Sequence, residues 1–154
     1  MSLQHASCIA FGDVGVLIRG APGSGKSSLC LRLIDQGGFG LGARALQAQL
    51  VADDQVEVRV IGGALVASAP PALAGKLEIR GLGIVAVQQR HEVALKLLVD
   101  LMPAKDIPRM PEVADASVML MGVRLPRLML DASTADVCAR LRVALGHFGL
   151  DHAL

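Results

Sequence analysis

Short apolar runs separated by glycine, proline and acidic residues make up most of the chain, and their spacing predicts more strand than helix. The β-branched runs SCIAF and VGVLIRG, with Gly-Asp between them, predict a hairpin or two adjacent strands. The alternating run QVEVRVI, a Gly-Gly turn and the run ALVASA predict a second hairpin, which Pro70 and Pro71 end. LVADD predicts a buried strand ending in two carboxylates, and KLEIRG and IVAV predict further strands.

Two segments carry apolar residues at helical spacing. Ser27 to Asp35 is expected to form a helix that ends at Gln-Gly-Gly. Ser133 is expected to cap a last helix running to Phe148, because Ser-Thr-Ala-Asp has the spacing of a capping box. The apolar positions 137, 141 and 145 then share one face of that helix.

Three further segments are less clearly patterned. Val93 to Met102 fits a strand or a helix equally well, and the glycine-rich stretch from Gly37 to Gln49 matches no single element. SVMLMGVRLPRLML gives two strand-like pieces around Pro126. Together the elements predict one α/β domain over residues 1–154, with a mixed, strand-rich sheet.

Composition narrows the class of protein. Apolar residues make up 53% of the chain, yet there is no Trp or Tyr and only three Phe, so the core must be aliphatic. The net charge of +1, without a basic run or stacking aromatics, argues against a nucleic-acid partner. No membrane-spanning or signal segment is apparent, and three cysteines lack metal-ligand spacing, which favours a reducing, cytoplasmic setting.

A phosphate-binding loop is the clearest chemical signal. GAPGSGKS, residues 20–27, matches G-x-x-x-x-G-K-[ST] in full, with a strand before it and a helix after it. Glycines let backbone N–H groups surround phosphate oxygens, the lysine reaches the β- and γ-phosphates, and the final hydroxyl can ligate Mg²⁺. The bland alternative is a chance glycine-rich turn. The predicted binding residues are Gly20, Ala21, Pro22, Gly23, Ser24, Gly25, Lys26, Ser27 and Ser28.

Phosphoryl transfer also needs carboxylates, and Asp53 and Asp54 are the best candidates because they follow an apolar strand. One arrangement has one carboxylate facing the metal and the other facing the acceptor; in another, both turn inward. An acidic turn that merely ends a strand is the alternative.

Glu78 and Arg80 lie two residues apart in KLEIRGLGI and should face the same side of a strand. They could bind Mg²⁺ and phosphate, or form a surface ion pair. The glycines that follow them allow close backbone approach.

In this order, HASCIA…GVLIRGAPGSGKS, LRLID, LVADDQV and LEIRGLGI resemble the bacterial HPr kinase/phosphorylase family. The similarity covers roughly Gln4 to Val87. The resemblance implies that family's catalytic fold, with its P-loop of the type found in PEP carboxykinase. It also implies phosphorylation of a serine on the phosphocarrier protein HPr, with phosphorolysis as the reverse reaction. ATP or pyrophosphate and Mg²⁺ would be the cofactors, and a cytoplasmic homo-hexamer the assembly.

The resemblance also assigns roles to residues. Asp53 corresponds to the proton acceptor for the seryl hydroxyl, and Asp54 lies near the metal. Ser27 and Glu78 contribute to the metal site, Lys26 binds phosphate, and His5 takes part in catalysis. From the pattern alone His5 would be an ordinary terminal residue.

The chain departs from the family pattern in three ways. It resembles a short form with only the catalytic domain, and GGFGLGARALQA adds a segment that could act as a flap beside the phosphate site. The basic segment that serves substrate contact and phosphorolysis is reduced to VRLPR, which keeps Arg124 and Arg127 as possible substrate or phosphate contacts.

Two other functions fit the same loop. One is a kinase for a small molecule, although such enzymes usually carry a lid with several arginines and the glycine-rich segment has one. The other is a non-catalytic regulator that binds ATP.

Overall fold

A computed structural model describes all residues, 1–154, and shows a strand-rich α/β fold. No helix in the chain is both long and apolar enough to cross a membrane. Eleven strands and two α-helices follow in chain order: β1 Ser2–Gln4, β2 Ser7–Phe11, β3 Val14–Arg19, α1 Lys26–Asp35, β4 Ala48–Ala52, β5 Val56–Ile61, β6 Ala64–Ser68, β7 Lys76–Ile79, β8 Gly83–Ala86, β9 Glu92–Leu101, β10 Ser117–Leu120, β11 Val123–Leu130 and α2 Val137–His147.

Nine of the strands form one sheet, and β7 and β8 form a separate two-stranded hairpin. The main path runs β1-β5-β6-β9-β3-β2-β4, and β10 joins through β11, which pairs with β9. The strands β3, β9 and β11 are parallel neighbours, so their carboxyl ends meet at one edge of the sheet. Ligands of open α/β sheets bind beyond this edge, and the phosphate loop lies there, directly after β3.

Each face of the sheet supports its own aliphatic core. One core packs α1 and α2 on the sheet through Leu29, Leu33, Leu141 and Leu145, all completely buried. The other core, on the opposite face, includes Leu17, Leu98 and other small aliphatic side chains. The apolar pattern of α2 is therefore confirmed. The core has no Trp or Tyr and is filled by close packing of Val, Leu, Ile and Ala, with Phe11 as its one buried aromatic residue.

Both predicted hairpins are present, as β2–β3 and β5–β6. The ambiguous segment 93–102 is the central strand β9, which pairs with β3, β6 and β11. Its consecutive residues Leu97, Leu98 and Val99 are buried on both faces of the sheet, whereas Lys96 is exposed.

Two boundary predictions are wrong. The break between the last strands is at Met121–Gly122, where both residues have positive φ, and Pro126 lies inside β11 at the point where its partner changes from β10 to β9. The last helix begins at Val137 with Asp136 at its N-cap, and Ser133 instead donates its hydroxyl to Asp131.

The glycine-rich segment 37–47 has no regular structure and lies at the carboxyl end of α1. The phosphate loop lies at the other end of this helix, about 15 Å away along its axis. Arg142 fixes the segment, because its Nε donates to the Leu46 carbonyl at 3.0 Å. The expectation of a flap beside the phosphate site is therefore wrong.

Candidate active site

The phosphate loop is shaped by its glycines. Gly23 and Gly25 have φ of 80° and 97°, which side chains rarely adopt. Gly20 has no room for a Cβ, which would lie 2.3 Å from the Ser24 hydroxyl oxygen. Gly25 is also the N-cap of α1 and offers no capping side chain, so the first amides of the helix are left for an anion.

Lys26 extends back across this loop. Its Nζ donates to the carbonyls of Gly20 at 2.8 Å and Ala21 at 3.3 Å, and only 9% of the residue is exposed. The ammonium group is therefore held at the mouth of the loop, where a phosphate oxygen could replace the carbonyls as its partner.

Asp53 is buried directly beneath the loop. Ser27 donates its hydroxyl to both carboxylate oxygens, at 2.9 and 3.1 Å, and Ser7 donates to Oδ1 at 2.8 Å. The Glu78 amide adds a longer contact of 3.4 Å to Oδ2. No cation pairs with this carboxylate, which is stabilised by neutral donors only.

Asp54 points in a different direction. Its φ is +69°, in the left-handed region, so the chain turns sharply after β4. Its side chain is 65% exposed and lies in the cleft, with Oδ1 3.9 Å from Nδ1 of His5. Strained backbone at a non-glycine residue often accompanies functional sites.

The hairpin β7–β8 supplies the opposite wall. Glu78 and Arg80 both line the cleft, as the two-residue spacing predicts, although Arg80 lies just beyond the end of β7. Ile79 also lines the cleft. The backbone amide of Glu78 donates to Oδ2 of Asp53, which connects this hairpin to the carboxylate beneath the phosphate loop.

These elements enclose an open cleft of about 650 Å³. Of the predicted loop residues, Pro22, Gly23, Gly25, Lys26, Ser27 and Ser28 line it, whereas Gly20, Ala21 and Ser24 shape the loop from behind. His5, Asp54, Glu78 and Arg80 complete the polar lining. The predicted site residues from four separate parts of the sequence therefore meet in one place.

The oxygen donors at this cleft suit a hard cation. Ser27, Asp53, Asp54 and Glu78 offer hydroxyl and carboxylate oxygens, which Mg²⁺ prefers over nitrogen or sulfur. No three His, Cys, Asp or Glu side chains converge closely enough to hold a metal by themselves. This fits Mg²⁺ at phosphate sites, where one or two carboxylates suffice and substrate phosphates and water complete the shell.

Arg124 and Arg127 do not line the cleft. Arg124 is exposed and donates to the Ser117 hydroxyl at 3.0 Å. Arg127 donates to Asp100 at 2.6 Å, and Arg19 binds the same carboxylate through two hydrogen bonds of 2.9 and 3.0 Å. The predicted phosphate contact through these arginines gains no support from the geometry.

Asp100 is consequently a structural charge. Partial burial acts to raise its pKa, but the hydrogen bonds and charges of Arg19 and Arg127 outweigh this effect and hold the pKa below its usual value. The ion pairs connect β3, β9 and β11 just where the phosphate loop begins.

Sequence reasoning missed Ser7 and the Arg19–Asp100–Arg127 cluster. Ser7 is completely buried in an apolar strand. The sequence indicates it only as a polar residue two positions after His5 in an otherwise apolar run. Arg127 and Arg19 lie 27 and 81 positions from Asp100 in the sequence, so no local pattern reveals this cluster.

A glycine loop at the carboxyl edge of parallel strands, followed by a helix and faced by carboxylates, is the arrangement of a P-loop protein. The family model described as "HPr Serine kinase C-terminal domain" matches residues 1–141. The chain belongs to this family.

Named relatives agree with this assignment. HPr kinase/phosphorylase of Chloroherpeton thalassium is 32% identical over 97% of this chain and 46% of its own length. The Bordetella petrii protein of the same name is 34% identical over 78% of this chain and 39% of its own length. The chain thus spans less than half the length of these relatives.

The fold also has a solved counterpart. The solved structure of the Hpr(Ser) kinase/phosphatase from Coxiella burnetii superimposes with a TM-score of 0.77, covering 98% of this chain and 99% of that chain. The two sequences are 22% identical, so this likeness concerns the fold. The predicted strand-rich α/β P-loop fold is confirmed.

Proposed function

We propose that this chain is an ATP-dependent, Mg²⁺-dependent protein kinase that phosphorylates a serine of HPr. The names of its relatives suggest the acceptor and the reaction. The observation that carries the proposal is the exposed Asp54 carboxylate, which shares the cleft with the phosphate loop and with His5.

The two adjacent carboxylates support a division of labour opposite to the one the resemblance implied. Asp53 accepts hydrogen bonds from Ser27 through both oxygens and is buried, which suits the metal side. Asp54 is exposed and free to accept a proton from an incoming hydroxyl. We therefore assign proton transfer to Asp54 and metal support to Asp53.

The donor phosphates would be held by the amides of the loop and by Lys26, which exchanges its two carbonyl partners for phosphate oxygens. Ser27, Asp53 and Glu78 would hold Mg²⁺, which neutralises charge on the phosphates when bound. The acceptor oxygen attacks the γ-phosphorus, the bond to the ADP oxygen breaks, and the seryl proton passes to Asp54. His5, whose Nδ1 lies 3.9 Å from Oδ1 of Asp54, would assist that carboxylate.

The reverse reaction would use the same groups, with Asp54 returning the proton. Arg80 is the one arginine that lines the cleft, so we assign substrate or phosphate contact to it in place of Arg124 and Arg127. Pyrophosphate as donor is compatible with a cleft that has few apolar wall residues for a base.

The two competing functions are less well supported. A lid of several arginines over a small substrate has no counterpart, because the glycine-rich segment lies at the far end of α1. A regulator that only binds ATP has no use for an exposed carboxylate and histidine opposite the phosphate loop.

We also propose a cytoplasmic homo-oligomer, the hexamer implied by the resemblance. Exposed apolar side chains, among them Leu82, Ile84, Met110 and Val113, support subunit contacts of some kind. Light scattering after size exclusion measures the mass directly, and a monomer at all concentrations would contradict this part.

The test of function is phosphate transfer from labelled ATP to purified HPr in the presence of Mg²⁺. We expect one labelled serine, and no label on an HPr in which that serine is replaced by alanine. A parallel assay offers small hydroxyl metabolites without HPr. Label on a metabolite alone, or tight ATP binding without transfer to either acceptor, would overturn the proposal.

A further inference from the structure

Ser7 carries a buried hydroxyl that has no role in the proposed phosphate transfer. It lies in β2, is completely buried, and donates to Oδ1 of Asp53 at 2.8 Å across 46 residues of sequence. The neighbouring residues of β2 are apolar and serve the two cores. A polar group in such a strand is costly unless it has a specific partner, and Asp53 is that partner.

The surroundings of Ser7 make Asp53 dependent on it. Cys30 lies beside both groups: burial raises the pKa of its thiol and the Asp53 charge raises it further, so the thiol stays neutral. Asp53 is therefore a carboxylate in a pocket of neutral groups, where Ser7 and Ser27 give its two short hydrogen bonds. Without Ser7, Oδ1 would keep only the hydrogen bond from Ser27, which both oxygens share, so the carboxylate would be held less firmly.

The hydrogen bond from Ser27 to Asp53 sets the direction of the Ser27 hydroxyl oxygen. A hydroxyl has one proton and two lone pairs. Because Asp53 takes the proton of Ser27, the lone pairs of Ser27 are directed away from the carboxylate, where a cation between loop and phosphates would lie. Ser7 donates to the same Oδ1, so it helps Asp53 to keep the orientation that holds Ser27 in this state.

We propose that Ser7 is a positioning residue for the divalent cation: it holds Asp53, which would support the cation together with the Ser27 hydroxyl oxygen that it orients. The proposal rests on the proposed function only in requiring that the loop binds a metal–nucleotide complex. It does not depend on the identity of the phosphate acceptor.

The experiment measures nucleotide binding by calorimetry, for ADP with EDTA and for ADP with increasing Mg²⁺. The variant is Ser7→Ala, and the matched control is Cys8→Ala, which removes an equally buried side chain one position along β2 and on the other face of the sheet. Residues that hold a metal ligand in place typically contribute 10–100-fold to metal affinity. Ser7→Ala should therefore raise about 10-fold the Mg²⁺ concentration that gives half of the Mg²⁺-dependent gain in ADP affinity. Binding in EDTA should be unchanged, and Cys8→Ala should behave like the unsubstituted protein.

Ser7→Cys gives a second test that nearly preserves volume, since a thiol is a weaker donor than a hydroxyl. It should shift the Mg²⁺ requirement in the same direction, by a smaller factor. An unchanged Mg²⁺ requirement in either Ser7 variant, or an equal shift in Cys8→Ala, would overturn the proposal. If the unsubstituted protein gains no affinity from Mg²⁺, the proposed function itself fails, which is a distinguishable result.

Discussion

The two ends of α1 are treated in opposite ways. At the amino end, Gly25 supplies no cap and the amides face an open cleft. At the carboxyl end, the Arg142 side chain donates to the carbonyls of Leu33 and Gln36 and is buried. Both ends of a helix carry partial charge and unpaired backbone groups. The protein neutralises one end itself and leaves the other for a ligand, so one end should govern stability and the other function.

The largest expected effect is at the open end. Lys26→Met keeps the aliphatic stem but removes the charge that meets the phosphates, so the rate of phosphate transfer should fall roughly 10²–10³-fold. The melting temperature should hardly change, because the ammonium group contacts only two loop carbonyls.

Lys76→Met is the control for Lys26→Met, because this exposed lysine also donates to a backbone carbonyl, that of Ala72, but lies outside the cleft. It should retain full activity. A folded Lys26→Met protein with normal transfer would break the distinction between the two helix ends.

At the closed end the expected effect is on stability. Arg142→Met leaves the carbonyls of Leu33 and Leu46 without their donor and removes a guanidinium that lies 5.9 Å from the Phe11 ring. Urea unfolding should show a loss of about 1–3 kcal/mol, the range for a buried acceptor left without its donor. Transfer activity per folded molecule should be retained.

Arg140→Met is the matched control for Arg142→Met. Arg140 lies two positions earlier in α2, is exposed, and pairs with Asp136 one turn away, so its loss should cost at most about 0.5 kcal/mol. Equal losses of stability in the two variants would contradict the assignment of Arg142 as the group that closes this helix end.

The smallest effect concerns the structural charge Asp100. Its pKa is lower in the folded chain than in the unfolded one, so it adds stability above the unfolded value of about 3.9, and this contribution is lost as pH falls through the lower folded pKa. Asp100→Asn should be less stable near neutral pH and should lose less stability on acidification from pH 5 to 3. Parallel stability–pH curves for variant and unsubstituted protein would contradict this.

The sequence predicts the phosphate loop because its chemistry lies in eight contiguous residues with a strand before and a helix after. Hairpins with Gly-Asp and Gly-Gly turns are likewise local. The strand β9 could not be distinguished from a helix, because the consecutive buried residues Leu97, Leu98 and Val99 interrupt the alternation.

The features that the sequence pattern does not predict depend on contacts between residues distant in sequence. The orientation of Asp53 and Asp54 follows from one positive φ at Asp54 and from partners at Ser7 and Ser27. The glycine-rich segment takes its position from Arg142, nearly a hundred residues later. Arg127 pairs with Asp100, and no local pattern in the sequence indicates that this arginine is already engaged.

We propose different roles for the two adjacent carboxylates, with Asp54 taking the proton and Asp53 supporting the metal. The most direct measurement is single-turnover transfer from labelled ATP to HPr by Asp54→Asn and Asp53→Asn, with Mg²⁺-dependent nucleotide binding measured on the same samples. Asp54→Asn should lose transfer by at least about 10²-fold while binding Mg²⁺ and nucleotide normally. Asp53→Asn should require more Mg²⁺ for binding. Normal transfer by Asp54→Asn, or loss of transfer by Asp53→Asn with an unchanged Mg²⁺ requirement, would contradict the claim.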